Sequence, residues 1–454
     1  MSVVERGSAF SEQEAELLFE EARRRTRRRR RRRVSLSALG IGLAAVALAI
    51  VTTGARGGGS SLISETASHP FADLRDFSGH GDLAFVSRGR LWVLSGTDRR
   101  LRAVSPADDQ ASAPQFSPNG RWLAFTVGAS QLWVAHADGS GPHPIGAAGG
   151  APWLPDGSLI AGGHIWRMSP RGAVRAGTAP PDLVGWAPDG SAYAFVARDR
   201  HRGANGSWSE TQRLEVSRSL RGPRTTWFSN RISFTNAGGV NGGEFGSALP
   251  LPAGHGILFR LFPDNSASLA ADGLPVYELQ RPGAKPRDIG TSLGMSVSIG
   301  HGAFALTRGF NRYAWVTKSA SLCSARCIAL PTSPGKLSVE PALSASGGVA
   351  YVQAAIGSEG MIGAPQINSW YSTRRLWIIE PGAPAREVAG SAGAATPLWS
   401  ADGRSLVYVS GDALWLLASP TARPARVAAP LFFPGAWPSF YGEVPWQAQF
   451  AWSS

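Results

Sequence analysis

Residues 186–197 read WAPDGSAYAFVA, a tight turn followed by an alternating apolar strand. Proline presets the backbone φ angle in this turn, and Asp189-Gly190 tolerates the positive φ that a two-residue reversal requires. The same pattern returns in Phe116-Ser-Pro-Asn-Gly120, Trp153-Leu-Pro-Asp-Gly157 and Trp399-Ser-Ala-Asp-Gly403. Because such self-similarity is typical of repeat folds, it predicts a structure built from copies of one strand–turn–strand unit.

Weaker copies of the turn bring the total to eight. They are Phe262-Pro-Asp-Asn265, Gly79-His-Gly81, Gly300-His-Gly302 and Ser346-Gly-Gly348. Each turn is followed by an apolar strand, beginning at Leu83, Trp122, Leu159, Ala192, Ser266, Ala303, Val349 or Leu406. A second strand then follows, centred on Trp92, Trp133, Trp166, Glu215, Tyr277, Trp315, Trp377 or Trp415. The two series interleave without a gap.

A strand pair of this size cannot bury both of its faces, whereas four-stranded units stacked around an axis can. We therefore expect an all-β fold, a β-propeller of about eight four-stranded blades over residues 75–454, with seven as the alternative count. The 75-residue spacing between the turns at Asp189 and Asp264 is interpreted as an insertion, or else as a degenerate extra blade around residues 231–243. The chain end, Gln449-Phe-Ala-Trp-Ser453, is similar to the start of a unit and is predicted to close the ring against the segment near Leu83.

The positive charge of the chain is concentrated at its N-terminus. Eleven of the 45 basic residues and six of the 32 acids precede residue 34, so this segment carries 11 − 6 = +5 and the remainder 34 − 26 = +8. Residues 34–53 (VSLSALGIGLAAVALAIVTT) contain no charge and, as a helix, would span about 30 Å, the thickness of a hydrocarbon core. Ten arginines lie within Arg23–Arg33, directly before that run.

This asymmetry predicts a single-pass transmembrane signal anchor at residues 34–53, with residues 1–33 in the cytoplasm as an acidic helix and an Arg-rich stop. The arginines Arg23–Arg33 would contact anionic lipid headgroups; a nucleic-acid arm is the alternative, and we expect no nucleic-acid partner. A cleaved signal peptide is the competing interpretation of the apolar run. Residues 54–74 would form a flexible linker.

The chain has two cysteines, Cys323 and Cys327. A zinc site would need two further ligands at suitable spacing, which no nearby Cys or His pair offers, so we expect neither a metal nor a cofactor. A disulfide closing a small loop is the natural interpretation for a domain outside the cytoplasm.

The turn motifs with their alternating Ala-Phe or Val-Tyr strands resemble the TolB-like propeller repeats, the PD40 or WD40-like family, and look like its actinobacterial membrane-anchored members. The resemblance covers roughly residues 75–454 and is more specific in blades two to four and eight than in blades five to seven. It implies an extracytoplasmic propeller that engages other envelope proteins. Family members typically have six blades and a separate N-terminal domain, which differs from the organisation expected here.

The longest insertions are predicted to project from one face of the propeller. They are residues 198–212, 229–255, 354–373 and 433–447, placed between second and third strands or between blades. Long loops often carry function, and Arg and aromatic side chains are common interface anchors. The candidate binding residues are Arg198, Arg200, His201, Arg202, Trp208, Trp370, Tyr371, Trp437, Tyr441 and Trp446. The alternative is that these aromatics cover blade edges and these arginines solubilise the rim.

Three functions follow as hypotheses. The first is a membrane-tethered scaffold that binds an envelope protein; the second is a binder of anionic cell-wall polymer or glycan, favoured by the +8 charge. The third is a glycan-cleaving enzyme, for which the acids near the long loops are Asp199, Glu210 and Glu244. The sequence contains no GxSxG elbow, HExxH pair, P-loop or dinucleotide fingerprint, so we expect no catalytic residues.

Overall fold

The structure is a computed structural model that describes residues 69–106, 110–128, 130–147, 153–169, 172–203, 207–234, 240–241, 243–262, 272–292, 297–358, 364–431 and 444–453. All described residues belong to one compact unit. The predictions for residues 1–33 and 34–53 and for most of the linker lie outside these ranges. Within them, no helix has the length and apolar character needed to cross a membrane.

Short antiparallel strands are the main secondary structure of the described chain. The first half contains β1 (Phe71–Ala72), β2 (Asp82–Ser87), β3 (Arg90–Ser95), β4 (Arg100–Ala103), β5 (Ala111–Phe116), β6 (Trp122–Val127), β7 (Gln131–His136), β8 (His143–Ala147), β9 (Leu159–Ala161), β10 (His164–Ser169), β11 (Gly172–Thr178), β12 (Leu183–Trp186), β13 (Tyr193–Arg202), β14 (Trp208–Ser217), β15 (Thr225–Phe234) and β16 (Val240–Asn241).

The second half continues this pattern and adds one α-helix. It contains β17 (Glu244–Pro250), β18 (Ile257–Phe262), β19 (Leu274–Leu279), β20 (Arg287–Ser292), β21 (Val297–Gly300), β22 (Ala303–Arg308), β23 (Ser319–Cys323), β24 (Cys327–Ala329), β25 (Lys336–Leu343), β26 (Val349–Ala355), α1 (Ala364–Ser372), β27 (Arg375–Ile379), β28 (Arg386–Glu387), β29 (Ala394–Trp399), β30 (Leu406–Ser410), β31 (Ala413–Leu417), β32 (Ala425–Ala429) and β33 (Phe450–Ser453). Single 3₁₀ turns span Pro252–Gly254 and Trp446–Ala448.

These strands form eight sheets of three to five strands within the described residues, which confirms the predicted all-β blades. Blade one is β33-β2-β3-β4, blade two β5-β6-β7-β8, blade three β9-β10-β11, and blade four β12-β13-β14-β15-β16. Blade five is β17-β18-β19-β20, blade six β21-β22-β23-β24, blade seven β25-β26-β27-β28, and blade eight β29-β30-β31-β32-β1. An isolated bridge from Trp153 to Leu159 replaces the first strand of blade three.

Eight apolar clusters among the described residues join these sheets into a ring, one cluster at each junction between consecutive blades. Strand alternation explains how one strand serves two junctions. In β2, Leu83 and Phe85 pack against blade eight, whereas Ala84 and Val86 pack against blade two. Because blade eight shares a cluster with blade one, the order of sheets closes into a propeller.

Both chain ends take part in the closure. The C-terminal strand β33 is the first strand of blade one, with Leu83 opposite Trp452, which is the pairing that the pattern of residues 449–453 predicts. At the other end β1 pairs with the outer strand β32 of blade eight. This fifth strand covers the edge of blade eight and was not apparent in the sequence, because two residues carry no periodicity.

The strand assignment was wrong in blades five and six, and residues 229–255, predicted as an insertion between blades four and five, contain the end of β15 together with β16 and β17. In blade five the turn between first and second strands is at residues 251–256, so Phe262 ends the second strand instead of opening it. Residues 266–270, predicted as that strand, lie outside the described residues. In blade six the third strand is β23, and Trp315 lies in the connection before it, fully buried. The prediction placed a strand at Trp315 because a tryptophan lies at the centre of most of the other third strands. A tryptophan in a loop can be buried in the core as well as one in a strand, so its position alone does not identify a strand.

Candidate functional site

Strand order divides the loops between two faces. One face carries the first-to-second and third-to-fourth connections, including the Asp-Gly turns, and we call it the turn face. The opposite face carries the second-to-third and blade-to-blade connections, and we call it the long-loop face. Blade four departs most from the repeat, because β13, β14 and β15 are each ten residues long, whereas most other strands have four to seven. Their extensions, residues 198–202, 208–212 and 230–234, form a three-stranded arm on the long-loop face.

A buried carboxylate braces the arm. The side chain of Glu210 is 1% exposed, and its oxygens accept from Arg200 Nε and, at 2.6 Å, from the amide of Gln212. Arg198 lies 3.8 Å from Glu210 and donates to Glu244 Oε1 at 2.6 Å. Because two cations and an amide surround the buried acid, Arg198 and Arg200 stabilise the arm and tie it to β17 of blade five.

The end of the arm presents an exposed aromatic side chain. Trp208 is 44% exposed and pairs directly with Arg202, whose guanidinium carbon lies 5.6 Å from the ring centroid. Cation–π stacking of this kind fixes the rotamer of an exposed ring. His201 points to the other side of the strand, where its Nε2 lies 3.5 Å from Asp199 Oδ2. Arg202 and Trp208 are thus the two predicted residues that the arm offers to a partner.

The aromatic pair of blade seven is placed differently. Trp370 and Tyr371 lie near the end of helix α1, and Trp370 is buried, donating from its indole N–H to the Ala355 carbonyl at 2.8 Å. Its ring packs edge-on against that of Trp315, 6.1 Å away. Tyr371 is half-buried beside it. Trp370 therefore belongs to the core between blades seven and eight, not to an exposed surface.

Beneath this pair lies an arginine that the sequence did not single out. Arg374 is 2% exposed, its guanidinium stacks on Trp370 and Tyr371, and its Nη2 lies 2.6 Å from Glu340 Oε1. The other oxygen of Glu340 accepts from the backbone N–H of Thr396 at 2.6 Å. The pair consequently ties blade seven to blade eight.

Glu340 is positioned by a bulge in the first strand of blade seven. Its φ is +53°, and the next residue is proline. Ala113 and Thr396, with φ of +51° and +48°, occupy the same place before proline in blades two and eight. Bulges bend a strand and redirect its side chains. An X-Pro pair at the bulge of the first strand is thus a signal that recurs in blades two, seven and eight, and it was not among the sequence predictions.

The remaining predicted residues fall in separate places. Trp446 lies in the 3₁₀ turn before β33 and packs against the cluster between blades eight and one. Trp437 and Tyr441 lie outside the described residues. Blade four lies opposite blade eight in the order of the ring, so the structure does not bring all the candidates into one site. It places them in three: the arm, the end of α1 and the closing turn.

Cys323 and Cys327 form a disulfide across β23 and β24, on the turn face. The three-residue loop that it closes is held from blade five, because Arg287 donates to the Ser324 carbonyl at 3.0 Å and pairs with the buried Glu278. The disulfide thus fixes one of the contacts between two blades.

The acidic side chains singled out on the long-loop face are engaged in ion pairs. Each of the three acids named above, Asp199, Glu210 and Glu244, is paired with a basic side chain. In the described part of the chain, no group of three or more His, Cys, Asp or Glu residues has the arrangement of a metal site. Burial lowers the pKa of Arg260 to about 10 and raises the pKa of Asp82, but neither group belongs to the arm.

Comparison with known proteins finds similar propellers only among solved structures. No family model matches the chain, and neither does any curated protein. An oligogalacturonate lyase in complex with manganese aligns over 80% of this chain and 87% of its own, with 12% identity and a TM-score of 0.39. TolB from Acinetobacter baumannii aligns over 77% of this chain and 64% of its own, with 13% identity and a TM-score of 0.32.

A putative TolB from Agrobacterium tumefaciens aligns over 78% of this chain and 91% of its own, with 12% identity and a TM-score of 0.33. TolB proteins are therefore among the structures similar to this chain, and eight small antiparallel sheets are consistent with the TolB-like repeat motifs. At these identities and TM-scores the similarities say nothing about what the chain binds or whether it is an enzyme.

Proposed function

We propose that this protein is a binding scaffold, tethered to a membrane by residues 34–53, whose extracytoplasmic propeller recognises an envelope protein through the arm of blade four. The observation that supports this most directly is Trp208, exposed and stacked on Arg202 at the end of strands that are braced by a buried carboxylate. Tryptophan and arginine are the residues most enriched at the energetic centres of protein interfaces.

Rigidity is the second support. An exposed loop side chain loses rotamer freedom when a partner binds, and each such side chain costs about 0.5–1.5 kcal/mol. On the arm the backbone is already ordered, because β13 pairs with β14 along ten residues and β14 pairs with β15, and the Trp208 side chain is held by Arg202. A partner would therefore meet a pre-formed surface.

The direction of the chain at its first described residues is the third support. Strand β1 runs antiparallel to β32, and β32 runs from the turn face to the long-loop face. The chain before Phe71 thus leaves the propeller at the long-loop face, at the outer edge of blade eight. A partner held by the arm would lie on the same face as the departing chain.

Photo-crosslinking in the membranes of the native host tests this function with the full chain. A benzoylphenylalanine placed at Trp208 is expected to give a discrete adduct with one envelope protein. The matched control is the same probe at Ile328, which is 55% exposed on the turn face and should give none.

The captured protein is then tested for binding to purified variants. Trp208→Ala and Arg202→Ala should each weaken binding at least tenfold, and Ile328→Ala should leave it unchanged. Equal crosslinking at positions 208 and 328, or binding indifferent to Trp208→Ala, would count against the arm as the recognition surface.

A further inference from the structure

A groove of about 430 Å³ lies on the flank of blade seven that faces blade six, towards the long-loop face. Its lining includes Lys336, Arg375, Trp377, Glu387, Ser333 and Gln353. Ser333, in the linker that joins the outer strand of blade six to the inner strand of blade seven, is among the lining residues. A volume of this size accommodates one or two sugar rings.

In two other blades the tryptophan equivalent to Trp377 donates to a backbone carbonyl of its own blade. The equivalent tryptophan of blade three, Trp166, donates its indole N–H to the Ala161 carbonyl at 3.3 Å. In blade eight Trp415 donates to the Ser410 carbonyl at 3.3 Å. In both blades the acceptor lies two residues after the direct cross-strand partner of the tryptophan, where the second strand ends.

In blade seven the corresponding residue is Gln353, two after Tyr351, the partner of Trp377. Here the second strand does not end but continues to Ala355 and leads towards α1. The side-chain amide of Gln353 has other partners: its oxygen accepts from the Ser333 N–H at 3.1 Å, and its nitrogen donates to the Pro331 carbonyl at 3.1 Å. Within the described residues, the indole N–H of Trp377 has no hydrogen-bond acceptor, and Trp377 is one of the residues that line the groove.

Two cations lie beside this donor. Lys336 is exposed, and its ammonium has no partner among the residues that the structure describes. Arg375 donates from Nη1 to the carbonyls of Ser372 and Arg374, and its Nε lies 3.7 Å from Glu387, which leaves Nη2 available. The groove thus offers three donors, two of them charged, and one carboxylate.

We propose that this groove binds an anionic sugar, a pyranose ring that carries a carboxylate or a phosphate. An indole ring suits the apolar face of a pyranose, Arg and Lys pair with the acidic group, and Glu387 accepts from ring hydroxyls. The lining has a net charge of +1, from Lys336, Arg375 and Glu387, which favours an anionic ligand over a cationic one. The site is separate from the arm and stands whether or not the arm binds a partner.

Isothermal titration of the purified full chain tests the site. The probes are glucuronate, glucose 6-phosphate, neutral glucose and inorganic phosphate. At least one of the two anionic sugars, glucuronate or glucose 6-phosphate, is expected to bind about tenfold more tightly than both glucose and inorganic phosphate. Whichever of these two sugars binds more tightly shows whether the site prefers a carboxylate or a phosphate. Absence of saturable binding by either sugar overturns the proposal, as does inorganic phosphate binding as tightly as the sugars.

Variants then locate the site. Trp377→Phe removes the N–H and keeps a ring, so the affinity should fall about three- to tenfold, the range expected for one neutral hydrogen bond. Trp415→Phe is the matched control in blade eight and should leave affinity unchanged. Lys336→Ala, at an exposed position where folding is not at risk, should weaken the anionic sugars about tenfold and leave glucose unaffected. Equal effects of Trp377→Phe and Trp415→Phe, or none from Lys336→Ala, would refute it.

Discussion

The buried ion pair between Arg374 and Glu340 allows a stability prediction with a definite asymmetry. Arg374 is 2% exposed, whereas the side chain of Glu340 is 31% exposed. Glu340→Gln leaves the arginine charge buried without a counter-ion, and removal of one member of a buried pair costs about 3–5 kcal/mol. Glutamine retains an acceptor for the Thr396 N–H, so the loss comes from the missing charge and not from an orphaned backbone group.

The reverse substitution should be milder. Arg374→Met removes the buried charge and fills much of the same volume against Trp370 and Tyr371. The carboxylate left behind is partly hydrated, so we expect a loss of about 1–2 kcal/mol, near that of hydrogen bonds to a charged group. The double variant should be more stable than Glu340→Gln alone, because the uncompensated charge is gone. A coupling of about 2 kcal/mol is expected from the double-mutant cycle.

Urea unfolding at pH 7, followed by tryptophan fluorescence, measures these free energies. Glu387→Gln is the control, since Glu387 faces Arg375 at 3.7 Å on the same blade and both side chains are well exposed, so its loss should stay below about 1 kcal/mol. The reasoning is wrong if Arg374→Met destabilises as much as Glu340→Gln, or if Glu340→Gln is no worse than the control.

Three further predictions concern the ring itself. Phe450→Ala should destabilise the propeller by about 3–5 kcal/mol in the same urea assay, because this closing-strand side chain is buried, whereas the exposed Phe71 should tolerate alanine within about 1 kcal/mol. Replacement of Cys323 and Cys327 by serine should cost about 2 kcal/mol, the value for so short a loop, and a wild-type sample in reductant should match the variant. Burial raises the pKa of Asp82 above its ordinary 3.8, so this carboxyl favours folding below pH 3.8 and loses that contribution as the pH rises through the raised pKa. Asp82→Asn should therefore gain stability relative to wild type between pH 4 and 7, and a difference that does not change with pH would contradict it.

The repeat was readable from sequence because its turns demand particular residues. Asp189-Gly190 and Asp402-Gly403 occupy a reversal in which glycine has a φ of +73° or +71°, so the motif marks the turn wherever it survives. In blade five the same reversal is written Leu251-Pro-Ala-Gly-His-Gly256, with Ala253 at a φ of +54° and no aspartate. Blade five thus keeps the geometry of the turn but not the Asp-Gly sequence that identifies it. The prediction therefore placed the strands on either side of this turn at the wrong residues.

The sequence named candidate site residues but did not predict how they are arranged. Side chains alternate along β13, so Arg198, Arg200 and Arg202 lie on one side of the arm and His201 on the other. This arrangement would have followed from the sequence if the predicted strand had been extended to Arg202. Glu210 lies beside two of these arginines because of the register between β13 and β14. Register across an extended hairpin follows from its turn, and a single sequence does not fix where that turn falls.

The distribution of the second-to-third connections suggests where recognition is concentrated. In blades eight, one, two and three these connections have two or three residues, whereas in blades five, six and seven they have ten or more, and blade four extends its strands into the arm. The long-loop face is thus divided into a short half and an elaborated half. Three of the four blades in the elaborated half, five to seven, also have weak turn motifs, whereas blade four keeps the full motif Trp186-Ala-Pro-Asp-Gly190. Both the exposed Trp208 and the groove at Trp377 lie in the elaborated half. Residues in these longer segments are not needed to form the blade repeat, so they are available for binding. The connections of the short half are already at their minimum length and offer few side chains to a partner. Substitutions that weaken binding, selected at random over the whole chain, should therefore map to blades four to seven.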